Sequence, residues 1–366
     1  MSPGPADLLV VAGGTGGHVY PAIAVARAFT AMHPSARIRF VVDARPASRE
    51  AVERAGFDLD VVPIRRGLQR GRSWASLRAN ARVGLDLMRS IVVSWRLLRS
   101  VRPRAVVGFG AYVSLPVIAL ARLRRVPVVV HEQNGRPGLA NRIAVRLGAR
   151  PAVSVPGTPL RGAIVTGNPV RPDIVAAARR PVVPPLVGVV GASLGAGVLN
   201  DATLALCDRW RGRDDVAVEL VTGPAHYDSC AARYGAMRCD DDRLSVQIVA
   251  YEHDMARLYA DATIMVTRGG GSVWELAAVG MPAIVVPWAG AAEDHQTANA
   301  RACAEAGAAV HLPESECDGA RLATELDALL ADGDRLERMS LAMHSLARPD
   351  AARAVAHLLS QHGGFE

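Results

Sequence analysis

Two glycine-rich turns, each directly after a short apolar run, constrain the fold of this 366-residue chain more than any other feature. The first turn, Gly13–Gly17, follows the run Asp7–Ala12, and the second, Gly191–Gly197, follows Leu186–Val190. Apolar runs without polar alternation predict strands that are buried on both faces, as in parallel sheets covered by helices. Because the same signal occurs in both halves, we predict an α/β fold with two doubly wound domains.

Further apolar runs predict the remaining strands. In the first half they are Ile38–Val42, Leu59–Pro63, Ala105–Gly108 and Val126–His131. In the second half they are Val216–Val221, Leu244–Val249, Ala262–Val266 and Ala283–Pro287. The first helix is predicted at Pro21–Met32, and an amphipathic helix at Ala347–Gln361 opens with Pro349 and Asp350, a typical helix start.

The Pro/Gly-rich stretch Pro151–Pro172 separates the two sets of strands, and we predict the domain boundary within it. The N-terminal domain is predicted at 1–166 and a linker at 167–172. The C-terminal domain is predicted at 173–346 and the terminal helix at 347–366.

The charge balance predicts an acidic partner. The formal charge is +7, and every basic residue other than histidine is arginine. Nucleic acid, anionic lipid and a phosphorylated substrate all satisfy this balance. With 4% aromatic residues and no recognisable RNA- or DNA-binding motif, we predict no nucleic-acid partner. The absence of lysine excludes a P-loop lysine and a Schiff-base lysine.

Cysteine usage and hydropathy predict a cytoplasmic chain. The five cysteines show no CxxC spacing, which favours reduced thiols over a disulfide framework or a zinc site. The N-terminal sequence has no basic region of the kind that opens a signal peptide. No apolar run approaches the roughly 20 residues that span a bilayer. Any membrane contact is therefore predicted to be peripheral.

The first glycine turn ends in a candidate general base, His18. Glycines at this turn let a phosphate or sugar approach the backbone amides, although the pattern GGTGGH is not the dinucleotide pattern GxGxxG. A histidine at a helix start beside the carboxyl end of a strand is placed to accept a proton. The helix N-terminus disfavours the imidazolium cation, which keeps the base neutral. Alternatively, His18 only caps the turn.

Several motifs together resemble the MurG family of N-acetylglucosaminyltransferases. GGTGGHVYPA, HEQN at His131–Asn134 and GNPVR at Gly167–Arg171 occur in the order found in that family. Similar stretches follow the same order at Gly108–Pro116, Gly191–Ala196, Arg268–Pro282 and Glu293–Ala300. A single glycine motif is weakly specific, whereas HEQN followed by GNPVR is a strong signal.

The resemblance implies a GT-B fold, with two Rossmann-like domains facing a cleft and a C-terminal helix returning to the N-terminal domain. It implies an inverting transfer of GlcNAc from UDP-GlcNAc to the 4-hydroxyl of MurNAc in undecaprenyl-linked lipid I, which gives lipid II for peptidoglycan. The N-terminal domain is then expected to bind acceptor and membrane, and the C-terminal domain the UDP-sugar. Proteins of cell-wall synthesis are further candidate partners.

The resemblance also implies roles for individual residues. His18 corresponds to the base that deprotonates the acceptor hydroxyl. The acceptor is expected near Glu132, Tyr112 and Asn134. Arg171 and Arg268 suit the departing diphosphate, because arginine forms charge-assisted hydrogen bonds with phosphate. Glu275 matches the residue that takes the ribose hydroxyls, and Gln296 the one that contacts the donor sugar. The remaining expected donor contacts are Thr15, Gly16, Gly17, Asn134, Ser193, Glu252, Gly271, Ser272 and Val273.

The sequence departs from the family pattern mainly in the donor half. Ala192 and Leu194 stand where glycine and glutamine are usual, and the Arg268–Glu275 stretch is one residue shorter. Glu252 stands where the backbone usually grips uracil, and Ala111 replaces a glycine on the acceptor side. These departures leave open a related transferase that uses another UDP-sugar and a lipid-linked or amphiphilic acceptor, as in antibiotic biosynthesis.

Two further classes stay open at this point. UDP-sugar 2-epimerases share the scaffold and the donor, and a non-catalytic nucleotide-binding scaffold needs neither base nor acceptor. Neither a cofactor nor a metal is predicted, since the UDP-sugar is a substrate. Asp58 and Asp60 have the DxD spacing of metal-dependent transferases but lie in a strand-like stretch. We interpret them, and the acidic run Asp240–Asp242, as solvated carboxylates.

A basic and apolar stretch, from Arg65 to Arg104, contains a single acid, Asp86. Apolar residues from Leu77 to Trp95 recur at steps of three and four, which predicts a helix, and we interpret its C-terminal half as a buried face. Around its N-terminal part we expect docking on anionic headgroups at the inner face of the cell membrane. The predicted membrane contacts are Leu68, Arg70, Arg72, Trp74, Leu77 and Arg78.

Overall fold

A computed structural model describes most of the chain, namely residues 6–14, 16–63, 74–191, 195–291 and 294–365, with side chains left out at 74–85 and 87. The chain forms two compact units. Unit 1 comprises Met1–Arg171 and Arg348–Glu366, and unit 2 comprises Pro172–Ala347. Each unit has its own sheet and its own core.

Unit 1 is built on a seven-stranded parallel sheet. Its strands are β1 (Leu8–Val11), β2 (Ile38–Asp43), β3 (Asp58–Val62), β4 (Ala105–Gly108), β5 (Val128–Glu132), β6 (Arg150–Val153) and β7 (Ile164–Val165). Their order is β3-β2-β1-β4-β5-β6-β7, and every neighbouring pair is parallel. The central strands are buried along their whole length, which is why their sequences are continuous apolar runs.

Helices cover both faces of this sheet. The first five are α1 (Gly16–Met32), α2 (Pro46–Arg54), α3 (Trp74–Val101), α4 (Ala111–Leu123) and α5 (Leu139–Arg146). Phe29 of α1 lies in the core on one face, and Leu98 of α3 and Ile118 of α4 lie in the core on the other. Because the strands are parallel, the loops that follow them gather at one edge, where the motifs of the first half lie.

Unit 2 repeats the plan with six parallel strands in the order β10-β9-β8-β11-β12-β13. They are β8 (Leu186–Val190), β9 (Ala217–Val221), β10 (Ser245–Val249), β11 (Ile264–Thr267), β12 (Ala283–Val285) and β13 (Ala309–His311). The helices are α6 (Pro172–Val175), α7 (Gly197–Arg209), α8 (Tyr227–Met237), α9 (Met255–Asp261), α10 (Ser272–Val279), α11 (His295–Glu305), α12 (Gly319–Leu330) and α13 (Gly333–Ser345).

The last helix, α14 (Ala351–Gly363), belongs to unit 1 and packs on α1, which confirms the predicted return. Nε2 of His33 lies 2.7 Å from Oγ of Ser360. The Phe365 ring meets Phe29 edge-on at 4.9 Å between centroids, and the Arg104 guanidinium lies 4.4 Å from the Phe365 centroid. These contacts anchor the end of the chain to the first helix of the sequence.

Three predicted elements need correction. Helix α1 begins at Gly16, five residues before Pro21, because the glycine turn itself enters the helix. The Pro151–Pro172 stretch contains β6 and β7 and is therefore part of the unit 1 sheet. Strand β13 was missed because it is only three residues long.

The C-terminal half of α3 exposes apolar side chains, so our interpretation of a buried face is wrong there. Met88, Ile91, Val92 and Trp95, the α3 apolar stripe, are 63%, 37%, 48% and 43% exposed. The helix instead buries the face that carries Ser90, whose hydroxyl is satisfied by donating to the carbonyl of Asp86. Among the described residues, no helix combines the length and hydropathy of a membrane span.

Ala111, the first residue of α4, lies in the left-handed region at φ 60°. An L-residue with a side chain costs roughly 1 kcal/mol or more in this region, whereas glycine does not. We therefore expect Ala111→Gly to raise the free energy of unfolding by about 1 kcal/mol. In the interior of the same helix, Ala119→Gly should lower it by about 1 kcal/mol. Urea unfolding of both variants measures the two signs, and a destabilising Ala111→Gly would contradict this account.

Candidate functional site

The first glycine turn joins β1 to α1 and carries the predicted base. Gly16, Gly17 and His18 form the first turn of α1, and the imidazole is half-buried. A Cβ on Gly110 would stand 3.3 Å from Cδ2 of His18, and one on Gly14 would stand 3.7 Å from Nδ1. Both of these glycines have positive φ, so a side chain there would be strained. The imidazole therefore lies between two backbone segments that glycine keeps open.

Glu132 organises the loop after β5 through its carboxylate, and the acceptor contact expected of it stays a prediction. Its side chain is buried, and Oε1 accepts hydrogen bonds from the backbone N–H and Nδ2 of Asn134, at 3.1 and 3.2 Å. Oε2 accepts from the N–H of Gly138 at 3.0 Å and from Nδ2 of Asn141 at 2.8 Å. Four hydrogen bonds occupy the carboxylate, so Glu132 shapes the loop that presents Asn134.

His131 is fully buried beside this loop. Burial lowers the pKa of His131 from 6.5 to about 4, a hydrogen bond with Gly167 opposes that shift, and the neighbouring His18 adds to it. Nε2 lies 3.0 Å from the carbonyl oxygen of Gly167, which can only accept, so Nε2 carries the proton of the neutral ring. Within the described part of the chain, Nδ1 has no hydrogen-bond partner.

Two other predicted site residues, Arg171 and Tyr112, lie near or on helices of unit 1. The Arg171 guanidinium lies 4.8 Å from the ring centroid of Tyr20 on α1, a cation–π contact. Tyr112, the second residue of α4, is 37% exposed. Both side chains therefore belong to the same unit as His18.

In unit 2, the second glycine turn closes tightly on the end of β9. A Cβ on Gly191 would stand 2.4 Å from the backbone nitrogen of Ala196, and one on Gly195 would stand 2.0 Å from the carbonyl oxygen of Thr222. Nδ2 of Asn200 donates to the same carbonyl at 3.1 Å. Only glycine permits this approach of the turn to the backbone.

The third glycine-rich turn leads into α10 and positions Glu275. Gly271 is the N-cap residue, and Ser272 begins the helix. The side chain of Val273 is buried. The donor contact expected of this residue is therefore limited to its backbone. Tyr259, itself buried, donates its hydroxyl hydrogen to Oε2 of Glu275 at 2.9 Å. This hydrogen bond fixes the orientation of the Glu275 carboxylate, and sequence reasoning missed the tyrosine that donates it.

Arg268 is engaged inside unit 2, and the diphosphate contact expected of it stays a prediction. Its Nη2 pairs with Oε1 of Glu314 at 2.6 Å, and Nη1 donates to the carbonyl of Val286 at 3.3 Å. Oε2 of Glu314 accepts from the N–H of Ala289 at 3.1 Å. A guanidinium that is 6% exposed and paired in this way braces the loop after β12.

Gln296 holds the same loop. Its Oε1 accepts a hydrogen bond from the N–H of Trp288 at 2.9 Å, so the amide nitrogen is the group left to donate to a ligand. The backbone of Gln296 also packs on the third glycine turn, because a Cβ on Gly269 would stand 2.3 Å from its carbonyl oxygen. Nδ2 of Asn299 donates to the carbonyl of Gly269 at 3.0 Å.

Glu252 is tied into a charged network beneath its own loop. Oε1 accepts from the N–H of Asp254 at 2.6 Å, and Oε2 pairs with Nη2 of Arg257 at 2.7 Å. Arg257 also pairs with the buried Glu219 at 2.8 Å. Burial acts to raise the pKa of Glu252, but these hydrogen bonds outweigh it, and the pKa lies below its ordinary value.

Part of the predicted site lies outside the residues that the structure describes. Thr15, Ser193, Leu68, Arg70 and Arg72 lie outside the described residues. The side chains of Trp74, Leu77 and Arg78 lie outside them too, although their backbone forms the start of α3.

Neither acidic motif singled out in the sequence joins the other candidate residues. Asp58 and Asp60 both pair with Arg39 across β3 and β2. In the part of the chain that the structure describes, one group of side chains is close enough to share a metal ion, and it consists of Cys239, Asp241 and Asp242. These lie largely exposed before β10, as expected for a surface loop.

Comparison with known proteins finds a family match in each half of the chain. Residues 8–152 match the glycosyltransferase family 28 N-terminal domain, and residues 186–355 match the family 28 C-terminal domain. A Salinibacter ruber protein is 37% identical over 369 residues, which cover 97% of this chain and 96% of that protein. That relative is named UDP-N-acetylglucosamine–N-acetylmuramyl-(pentapeptide) pyrophosphoryl-undecaprenol N-acetylglucosamine transferase.

Two solved structures are similar to this chain along nearly its whole length. The crystal structure of Acinetobacter baumannii MurG has a TM-score of 0.73 and 26% identity, covering 97% of this chain and 99% of that one. A UDP-N-acetylglucosamine 2-epimerase has a TM-score of 0.67 at 16% identity, covering 100% of this chain and 98% of that one. At such an identity the second likeness concerns the fold alone.

The buried His131 predicts a loss of stability in mild acid. Between about pH 6.5 and about pH 4 the unfolded chain binds a proton at this imidazole that the folded chain does not, so the free energy of unfolding falls as pH falls. The full effect is on the order of 3 kcal/mol. His131→Gln, whose amide can still donate to Gly167, should remove most of this pH dependence in urea unfolding.

The exposed His357 on α14 supplies the control. His357→Gln should leave the pH dependence of unfolding unchanged. If both variants retain the full wild-type dependence on pH, His131 is not its source.

Proposed function

The chain belongs to glycosyltransferase family 28, and on this basis we propose that it transfers N-acetylglucosamine from UDP-N-acetylglucosamine to N-acetylmuramyl-(pentapeptide) pyrophosphoryl-undecaprenol, the lipid I of peptidoglycan synthesis. The observation that carries the proposal is similarity along the whole chain to a transferase of this name. The fold alone does not carry it, because an epimerase shares the fold. The resemblance of the motifs to the MurG family is thereby confirmed.

We assign acceptor activation to unit 1, with His18 as the base. Nucleophilic attack by the 4-hydroxyl of N-acetylmuramic acid requires removal of its proton. His18 supports this role because it is half-buried at the start of α1, where the helix favours a neutral imidazole. Asn134, presented by the Glu132 loop, is assigned to the acceptor side.

The proposed step is a single displacement. The acceptor O4 forms a bond to C1 of N-acetylglucosamine while the bond from C1 to the diphosphate oxygen breaks. The proton of the hydroxyl passes to the imidazole, and UDP leaves with the electron pair. Attack from the face opposite the diphosphate inverts the configuration at C1.

We assign donor recognition mainly to unit 2. Glu275, aligned by Tyr259, is assigned to the ribose hydroxyls, since a carboxylate accepts hydrogen bonds from them. The amide nitrogen of Gln296 is assigned to an oxygen of the donor sugar. Arg171 and the backbone amides of the glycine turns are assigned to the diphosphate, without a metal ion.

We further propose that the layer formed by α3, α4 and α5 docks on the membrane that holds the acceptor. The α3 apolar stripe occupies positions i, i+3, i+4 and i+7 of one helix face, and it is exposed. Leu123, at the end of α4, is 79% exposed. The predicted contacts between Leu68 and Arg78 precede the stripe along the chain and extend this proposal.

The charges around this layer favour an anionic surface. Between positions 87 and 146, which run from α3 to the end of α5, the sequence contains eleven arginines and one acid, Glu132, which is buried. Arg89, Arg96 and Arg99 are exposed on α3, and Arg99 lies 5.3 Å from the ring centroid of Trp95. Basic residues around an exposed apolar strip are typical of interfacial contact with anionic lipid.

These assignments place the protein at the inner face of the cell membrane as a peripheral protein. The five cysteines are free thiols, which suits a reducing compartment. The nucleotide-sugar donor is a water-soluble substrate, whereas the polyprenyl chain of the acceptor remains in the bilayer. A surface-docked enzyme reaches both.

His18→Ala tests the chemistry. We expect turnover with a lipid I analogue to fall by about two to four orders of magnitude, because a general base contributes about that much. Binding of UDP should be unchanged. The control is His33→Ala, directly after the same helix, which should retain turnover. Transfer at the wild-type rate by His18→Ala would remove this residue from the mechanism.

The wild-type assay also separates the other functions. A panel of UDP-sugars with the lipid I analogue, analysed by mass, identifies the preferred donor. Greater transfer from another UDP-sugar would favour a related transferase. Release of ManNAc or UDP-ManNAc from UDP-GlcNAc alone would favour a 2-epimerase and contradict the proposal.

Met88→Ser with Trp95→Ser tests membrane docking. The double variant should bind vesicles containing phosphatidylglycerol about tenfold or more weakly, because two large apolar contacts are lost. Transfer to a water-soluble acceptor analogue should be retained. Leu341→Ser, at an equally exposed apolar position in unit 2, is the control and should bind vesicles normally. Equal losses on vesicles and on the soluble analogue would indicate a packing role instead.

A further inference from the structure

A polar clamp from the end of β2 holds the first glycine turn. Oδ2 of Asp43 accepts a hydrogen bond from the N–H of Gly14 at 2.7 Å, and Nη1 of Arg45 donates to the carbonyl oxygen of Gly14 at 2.5 Å. Nε of Arg45 lies 3.4 Å from Oδ2 of Asp43, which joins the two arms. Both polar backbone groups of one glycine are therefore fixed by an ion pair between the last residue of β2 and the N-cap residue of α2.

The sheet explains why the clamp reaches this turn. Strands β1 and β2 are parallel neighbours, with Val11 opposite Val41, so the residues that follow them meet at the same edge. The Asp43 side chain is only 5% exposed. A buried carboxylate is stable only when hydrogen bonds and a counter-charge compensate it, and the Gly14 amide and Arg45 provide both. Asp43 is thus committed to the turn.

Gly14 has a backbone conformation that needs restraint from its surroundings. Its φ is 91°, which residues with a side chain rarely adopt. Glycine can also adopt many other backbone conformations, so contacts must select this one. Its N–H belongs to the peptide plane before it and its carbonyl to the plane after it. Fixing both planes sets the direction in which the chain enters α1, two residues later.

We propose that Asp43 and Arg45 are positioning residues that set the reactive orientation of His18 through the glycine turn. This inference rests on the proposed role of His18 as the base. The imidazole and the clamp share one neighbour, since a Cβ on Gly14 would stand 3.7 Å from Nδ1 of His18 and 3.9 Å from Nη1 of Arg45. A change in the planes at Gly14 therefore moves the ring that must meet the acceptor hydroxyl.

Arg45→Met tests the clamp because it keeps an unbranched apolar stem and removes the guanidinium. A base displaced by about 1 Å can lose on the order of a hundredfold in rate, so we expect kcat to fall by roughly 10- to 100-fold. The KM for UDP-GlcNAc should stay within about twofold, because donor recognition is assigned mainly to unit 2 and the clamp holds Gly14 of unit 1. Arg45→Lys, which can still donate to Gly14, should recover kcat to within about threefold of wild type.

Arg39→Met is the matched control. Arg39 lies on β2 itself and pairs with a nearby acid, Asp60, at 2.6 Å, but it pairs across to β3 and not with the turn. It should leave kcat unchanged. Thermal unfolding of each variant identifies any loss of the fold.

If Arg45→Met does not fold, Asp43→Asn replaces it, because the amide oxygen can still accept from Gly14 while the ion pair is lost. A kcat reduced by about tenfold is then expected.

The outcomes separate this inference from the proposed function. A low kcat for Arg45→Met with recovery by Arg45→Lys supports positioning. If Arg45→Met turns over like Arg39→Met while His18→Ala is inactive, the clamp has no role in orienting the base and the proposed function stands. If His18→Ala itself is active, the premise fails whatever Arg45 does.

Discussion

Carboxylates withdrawn from water in or after the strands organise the loops of both units. Asp43 fixes the first glycine turn, Glu132 folds the loop after β5, and Glu314 pairs with Arg268 behind the loop after β12. Removing one partner from such a pair leaves an uncompensated charge, which costs several kcal/mol. Each loop is therefore held in one conformation by the requirement that its largely buried acid be satisfied, and these loops carry or adjoin candidate site residues.

In unit 2, supporting groups likewise hold two candidate donor-binding side chains in place. Glu275 is held by the hydroxyl of Tyr259, and Gln296 uses its carbonyl oxygen on the backbone and leaves its nitrogen for a ligand. Preorganised groups of this kind lose little entropy when the substrate binds. On the outer layer of unit 1 the side chains of the α3 apolar stripe are instead exposed, and this exposure is the basis of the membrane docking that we propose.

Much of the fold followed from pattern, and the departures have physical causes. The central strands were predictable because burial on both faces leaves only apolar residues, as in β4 and β8. The strands at 150–153 and 164–165 were missed because they are short and lie among prolines and glycines. The buried and exposed faces of α3 were exchanged because Ser90 satisfies its hydroxyl within the helix and so tolerates burial.

The sequence by itself determined the two-unit α/β plan, the family and the identity of the candidate base, because strand burial and glycine turns impose local patterns that survive in one dimension. Only the tertiary structure decided which polar residues act as supports. Asp43, Asn141, Tyr259 and Glu314 lie far along the chain from the groups they hold. Hydrogen bonds between such distant residues leave no spacing rule, since the packing of strands and helices alone brings the partners within 3 Å or so.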